Sequence, residues 1–133
     1  MIVFMSKTKV FVSFDFDHDQ DLKTLFCGQA DHSDTPFEIS DISLKQALLG
    51  DWKAKIRPRI RNAEQVVVIC GEYTHTATGV TAEIEIAQEE GKPYFLLKGR
   101  SNKSCTWPKG IYNTDKMYTW TWDNVAKLLD GQR

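Results

Sequence analysis

The sequence lacks three things whose absence narrows its function: a net charge, a cysteine pair and a long apolar run. Its 17 Lys+Arg against 18 Asp+Glu leave a formal charge of −1, so no global field exists to hold a nucleic acid or an anionic membrane. Cys27, Cys70 and Cys105 stand far apart with no C-x-x-C among them, so neither a disulfide framework nor a zinc knuckle is readable from them. They read as reduced thiols, with Cys70 a small core residue at the end of an apolar strand. The longest apolar runs, Val66-Val67-Val68-Ile69-Cys70 and Tyr94-Phe95-Leu96-Leu97, are strand-sized and far short of the roughly 18 residues that a spanning helix takes. No internal repeat or low-complexity segment is visible. Residues 1–7 carry no basic region ahead of their apolar stretch and are too short for a signal peptide. The expectation is a cytoplasmic protein with no nucleic-acid and no membrane partner.

What is present is enough for one core. A chain of 133 residues, 41% hydrophobic and 11% aromatic, is expected to form a single domain over 1–133, with its core at about 7–131. Lys9-Val10-Phe11-Val12-Ser13-Phe14 is β-branched and aromatic and reads as a strand. The acid-rich stretch from Asp15 to Asp21 then opens a helix that runs through Leu22, Leu25 and Phe26 and stops at Gly28. Residues 29–36 are polar and turn-rich, Phe37-Glu38-Ile39 is a short strand, and Ser40-Asp41-Ile42-Ser43 a polar loop. Trp52, Ile56, Ile60 and Ala63 lie at helical spacing, with Pro58 predicting a kink or a late start. Residues 66–70 form a continuous apolar run, which suits a central strand of a parallel sheet. A Thr-rich loop, a helix over 81–90 closed by Gly91, and a strand over 94–97 complete a βαβ unit. A long polar loop, an edge strand over 117–120 and a helix over 122–129 follow. Strands alternating with helices in this way predict a doubly wound α/β sandwich of flavodoxin-like order, 2-1-3-4-5.

That order puts a ligand site beyond the carboxyl ends of the first and third strands, where the loops starting at Phe14 and Gly71 should meet. The first loop resembles the opening of a calcium loop in Asp15, Asp17, Asp19 and Asp21. However, Gln20 stands where such a loop needs Gly and Phe26 where it needs Glu, so no metal is expected and the acids read as solvating a loop and a helix N-terminus. The second loop contains Thr76-Ala77-Thr78-Gly79-Val80-Thr81, a T-x-T-G-x-T pattern with hydroxyls and N–H groups suited to phosphate. In a flavodoxin that pattern follows the first strand, so FMN binding is the weaker reading. Glu83, expected in the first turn of the third helix, points toward this site, while Glu85 lies about 200° around the helix. His18, His32 and His75 stand on separate polar loops; His75 reads as a solvated loop residue ahead of one that approaches the pocket, and Lys53, Lys55, Arg57, Arg59 and Arg61 read as a solvated basic face.

The strand ending in Ser13-Phe14, the apolar strand with Gly71 and Thr74, Gly79-Val80-x-x-Glu83-Ile84-x-x-Ala87 and Gly91-Lys92-Pro93 together resemble the TIR-like (Toll/interleukin-1 receptor-like) domain of the Thoeris antiphage proteins, over roughly residues 7 to 98. The resemblance implies a flavodoxin-like TIR fold that cleaves NAD⁺ at the nicotinamide–ribose bond. NAD⁺ would be the substrate and no cofactor is needed. The product, ADP-ribose or a cyclic isomer, would be a second messenger for a separate effector protein, with homo-oligomerisation on activation. The family's catalytic Glu falls on Glu83. Gly79 stands where the family motif has Trp, which either alters packing around the ribose or nicotinamide or leaves an aromatic such as Trp52 to close the pocket.

The residues fit that chemistry. A carboxylate near the ribose stabilises an oxocarbenium-like transition state without a metal, and cyclisation asks for an aromatic surface and a dry pocket. Ser13, Phe14 and Asp15 would shape the site, Phe16 and Trp52 supply aromatic surface, and Thr74 and Thr78 contact ribose or phosphate. The contrasting reading is a non-catalytic TIR-like module that acts by self-association.

Overall fold

The computed structural model describes residues 7–32, 35–43 and 51–131. The reading of the first six residues as leaderless, and part of the turn at 29–36, lie outside them. Five strands, Thr8–Phe14 (β1), Phe37–Ile42 (β2), Gln65–Cys70 (β3), Tyr94–Lys98 (β4) and Met117–Thr119 (β5), form one sheet in the order β2-β1-β3-β4-β5. All four pairings are parallel. The helices are Gln20–Ala30 (α1), Trp52–Asn62 (α2), Thr78–Glu89 (α3) and Trp122–Leu129 (α4). The doubly wound order expected from the sequence is the observed one. Among the described residues no helix is long and apolar enough to cross a membrane.

The period-2 alternation of side chains along a strand divides the core in two. Val10, Val12 and Phe14 of β1 join Val67, Ile69, Phe95 and Leu97 on the face covered by Leu22 and Phe26 of α1 and Val125, Leu128 and Leu129 of α4. Phe11, Val66, Val68, Cys70 and Leu96 face the other way, under Ile56 and Ile60 of α2 and Val80, Ile84 and Ala87 of α3. Burial of each large side chain contributes about 1.5–3 kcal/mol, and β3, fully buried from Val66 to Cys70, anchors both halves.

Four local expectations are corrected. Helix α1 passes through Gly28 and ends two residues later. It buries only Leu22 and Phe26, leaving Leu25 exposed, because one sheet face takes a narrow stripe four residues apart. Helix α2 starts at Trp52, ahead of Pro58, so the late start expected at the proline does not occur and the helix runs on through it. Full burial of Ile56 and Ile60 on either side of the proline offsets the ladder bond that proline cannot make. Helix α3 begins at Thr78, three residues earlier than expected, after a 3₁₀ turn at Thr74–Thr76 and an extended Ala77. It closes at Gly91, whose φ of +67° lets the Lys92 N–H reach the Ala87 carbonyl at 2.8 Å and its own N–H reach Gln88 at 3.2 Å, a Schellman ending.

The fourth correction matters most for the site. Of the stretch expected to be a loop after Ile39, Ser40, Asp41 and Ile42 belong to β2, which carries a bulge there. Val10 pairs with Ile39 but Phe11 with Asp41, so Ser40 is an extra residue, and its hydroxyl donates to the Val10 carbonyl at 3.1 Å. A bulge shifts every later side chain to the opposite face. Phe37, Ile39 and Ile42 consequently share the α1/α4 face, while Asp41 turns to the α2 side and meets Arg59 at 2.8 Å.

Candidate functional site

The loops after β1 and β3 meet at the carboxyl edge of the sheet, as the strand order requires. The His18 ring lies against Tyr73, tilted by 32° with ring centroids 4.6 Å apart, and the Asp19 carboxylate lies against Gly71. The third loop, between Gly99 and Lys116, is tied to the same edge. The Gly99 and Thr106 N–H groups donate to the Cys70 and Gly71 carbonyls at 2.8 and 2.9 Å.

At the centre is Glu83, 1% exposed. It lies in the second turn of α3, a correction that follows from the earlier helix start. Its Oε1 accepts two hydroxyl hydrogen bonds, from Ser13 Oγ at 2.7 Å and from Ser43 Oγ at 2.5 Å. Its Oε2 is buried and has no partner among the described residues. Burial pushes its carboxyl group up to about 8, against the opposing pull of the two hydroxyls. Glu85 is exposed on the far side of the helix, as its angular offset predicts.

Of the other sequence candidates, Ser13 is the one whose side chain hydrogen-bonds Glu83. Phe14 follows it in the strand, so its ring lies in the opposite half of the core, and Phe16 stacks on it at 5.8 Å. Only the Phe14 backbone contributes near Glu83, its N–H donating to Ser43 Oγ at 3.1 Å. Trp52 is half-buried on the cluster that holds Val80 and Ile84, the layer to which Glu83 belongs. Thr74 is fully buried and accepts the Gly71 N–H at 2.7 Å, which shapes the turn. Thr78 is exposed at the first position of α3. Thr76, in the flavodoxin-like pattern, donates to the Tyr73 carbonyl at 2.7 Å.

Asp15 is nearly buried and sits 2.7 Å from His18 Nδ1. His18 stands on the loop as expected and stays partly exposed, paired with Asp15 and lying against Tyr73. Of the loop acids, Asp17 and Asp21 are exposed as expected, whereas Asp15 and Asp19 depart from the solvated reading. Asp19 is 1% exposed, and Arg100 reaches it at 3.2 Å and Asp21 at 2.8 Å. Burial raises the Asp19 carboxyl above the ordinary range despite Arg100, while Arg100 lowers that of exposed Asp21. On the basic face of α2 the three arginines are paired while their side chains remain exposed. Arg57 and Arg61 bind Glu90 at 3.1 and 2.8 Å, and Arg59 binds Asp41. Among the described residues no group of three or more His, Cys, Asp or Glu is arranged to hold a metal.

Ser43 was missed by sequence reasoning. The available signal was its place one residue past a run that continues β2 in strand form, but a bulge disguises the alternation.

A family model described as Thoeris protein ThsB, TIR-like domain, matches residues 11–104. Among solved structures, a crystal structure of a prokaryotic SEFIR domain superposes with a TM-score of 0.55 at 18% identity. That alignment covers 94% of this chain and 89% of the other, and it speaks for the fold. No curated protein matches the chain.

Proposed function

The chain belongs to the family of Thoeris ThsB TIR-like domains, and from that premise we propose that it breaks NAD⁺ between nicotinamide and ribose, with Glu83 as the catalytic carboxylate. The observation that carries this reading is Oε2 of Glu83, buried and unpartnered at the carboxyl edge of the sheet. A buried polar atom without a partner is costly, by about 1–3 kcal/mol, and calls for an explanation. A substrate group as its missing partner supplies one.

The charge of the site supports the same reaction. With its carboxyl held at about 8, Glu83 is mainly protonated at neutral pH in the free protein. The nicotinamide of NAD⁺ is a cation, and cleavage passes its charge to an oxocarbenium-like ribose. Either positive charge beside Oε2 favours the ionised carboxylate, which then stabilises the transition state in a low-dielectric setting. Trp52, in the layer of Glu83, is the aromatic available to cover a bound base in place of the family's Trp. The ADP-ribose product, linear or cyclised, serves as a signal to a separate effector protein in antiphage defence, made in the cytoplasm where NAD⁺ is available.

Chromatography of NAD⁺ incubated with the parent protein and with Glu83→Gln, alone and after a phage-derived trigger, is the test. Nicotinamide is expected from the parent and not from the variant. No release by the parent under either condition, or equal release by both proteins, overturns the reading.

A further inference from the structure

Glu83 has two carboxyl oxygens with opposite surroundings. Oε1 takes hydroxyl hydrogen bonds from two different strand ends, and Oε2 takes none. Ser43 makes this asymmetry possible, and four contacts account for its placement. Its N–H continues the ladder onto the Val12 carbonyl at 2.9 Å. Its Oγ accepts the Phe14 N–H at 3.1 Å. That oxygen lies 3.4 Å from the Val12 carbonyl and 2.5 Å from Glu83 Oε1. One hydroxyl proton serves one acceptor, and the shorter, better placed one is Glu83.

The position of Ser43 depends on the bulge. With Ser40 extra, Val12 pairs with Ile42, and the next step along the register sets Ser43 beside Ser13 on the α3 face. Without the extra residue, Ser43 would stand beside Phe14 and share the α1/α4 face, with the sheet between it and Glu83. A terminal carboxyl torsion is broad and nearly free. Two donors converging on one oxygen fix its plane and leave the other oxygen open: it carries the proton in the neutral form and is the single free acceptor once the carboxyl ionises.

We propose that Ser43 is a positioning residue for Glu83, delivered by the Ser40 bulge, and that together with Ser13 it holds Oε1 so that Oε2 alone engages the ligand. This rests on the reading of Glu83 as the catalytic group, but its first test does not need activity. The influences on the Glu83 proton among the described residues are burial and the two serines. Charged groups on neighbouring elements are engaged with one another: Asp15 with His18, Asp19 and Asp21 with Arg100, and Asp41 with Arg59.

The experiment is a carbon-13 NMR titration of the Glu83 carboxyl in the folded protein, run on the parent, Ser43→Ala and Ser43→Thr. Loss of a donor to the ionised form moves the midpoint in Ser43→Ala above that of the parent, and the retained hydroxyl of Ser43→Thr brings it back. If Ser43→Ala does not fold, Ser43→Gly carries the same comparison. In turnover, Ser43→Ala is expected to lower kcat roughly 10- to 100-fold with little change in KM, and to move the ascending limb of the pH profile upward with the carboxyl midpoint. An unchanged midpoint overturns the proposal whether or not the protein cleaves NAD⁺. A shifted midpoint with unchanged kcat overturns the positioning role and leaves only a hydrogen bond. A shifted midpoint in a parent that never releases nicotinamide counts against the enzymatic reading and leaves Ser43 as the residue that sets the open oxygen of Glu83.

Discussion

The Asp19 carboxylate occupies the space that a side chain on Gly71 would need: a methyl group there would overlap both carboxylate oxygens. The N-terminus of α1 and the end of β3 are therefore fitted to each other at one atom's tolerance. Asp19 is held in that fit by Arg100.

Gly71→Ala is expected to destabilise the fold by about 1–3 kcal/mol, measured by urea unfolding. Asp19→Ala in the same background recovers part of the loss, because the clash is between these two residues. Strictly additive costs in the double-mutant cycle would contradict this account.

Stability depends on pH through Glu83. Its carboxyl titrates near 4.5 when unfolded and at about 8 when folded, so the folded state binds the proton more tightly. The contribution is complete below about 4.5 and is lost as pH rises to about 8, with a total change on the order of several kcal/mol. Glu83→Gln, which keeps an acceptor for the serines and carries no ionisable proton, should lack this decline. Denaturant midpoints across that pH range, compared for the two proteins, decide it.

Binding of NAD⁺ should release protons. At pH 7 Glu83 of the free protein is mainly protonated, and a cationic ligand beside Oε2 drives the proton off. Calorimetry with a non-cleavable carbocyclic NAD⁺ analogue, in two buffers of different ionisation enthalpy, reads up to about one proton released in the parent. None is expected in Glu83→Gln, and equal buffer dependence in both would rule the coupling out.

The terminal helix has a testable start. Thr121 Oγ1 accepts the Asn124 N–H at 3.1 Å, so Thr121→Ala is expected to cost about 1 kcal/mol, seen as a lower thermal midpoint. Thr121→Ser, which keeps the acceptor, should recover most of it.

Phe14→Ala should cost about 3–5 kcal/mol, because its ring is buried among α1 and α4 side chains. The carboxyl titration of Glu83 is expected to stay in place, since the ring and the carboxylate lie on opposite sides of the sheet. A shifted titration would mean that the two halves of the core communicate at this point.

The parts of the fold that were legible in sequence are those with a local cause. The run from Val66 to Cys70, the Gly91-Lys92-Pro93 stop and the stripe Val80, Ile84 and Ala87 identify strand, turn and helix within a few residues of one another. Parallel order and the meeting of the first and third loops follow from that unit. Glu83 was legible by its place behind the third strand. Its partner Ser43 was not, because a bulge at Ser40 reverses the alternation on which strand reading depends, and the slipped phase reads as a polar loop. Asp19 failed for another reason. Its cation, Arg100, lies 81 residues along the chain, and no local pattern distinguishes a buried acid from its exposed neighbour Asp21.

The sheet separates neighbours in sequence into two compartments. Ser13 and Phe14 are adjacent, yet one belongs to the chemistry of Glu83 and the other to the packing of α1 and α4. Substitution in the two compartments is then judged by different standards. The α1/α4 side is chiefly a matter of apolar volume, whereas the α2/α3 side also holds the hydrogen bonds of Ser13 and Ser43 to one carboxyl group. Within such a lineage, sequence divergence is expected to be concentrated on one side of a single strand.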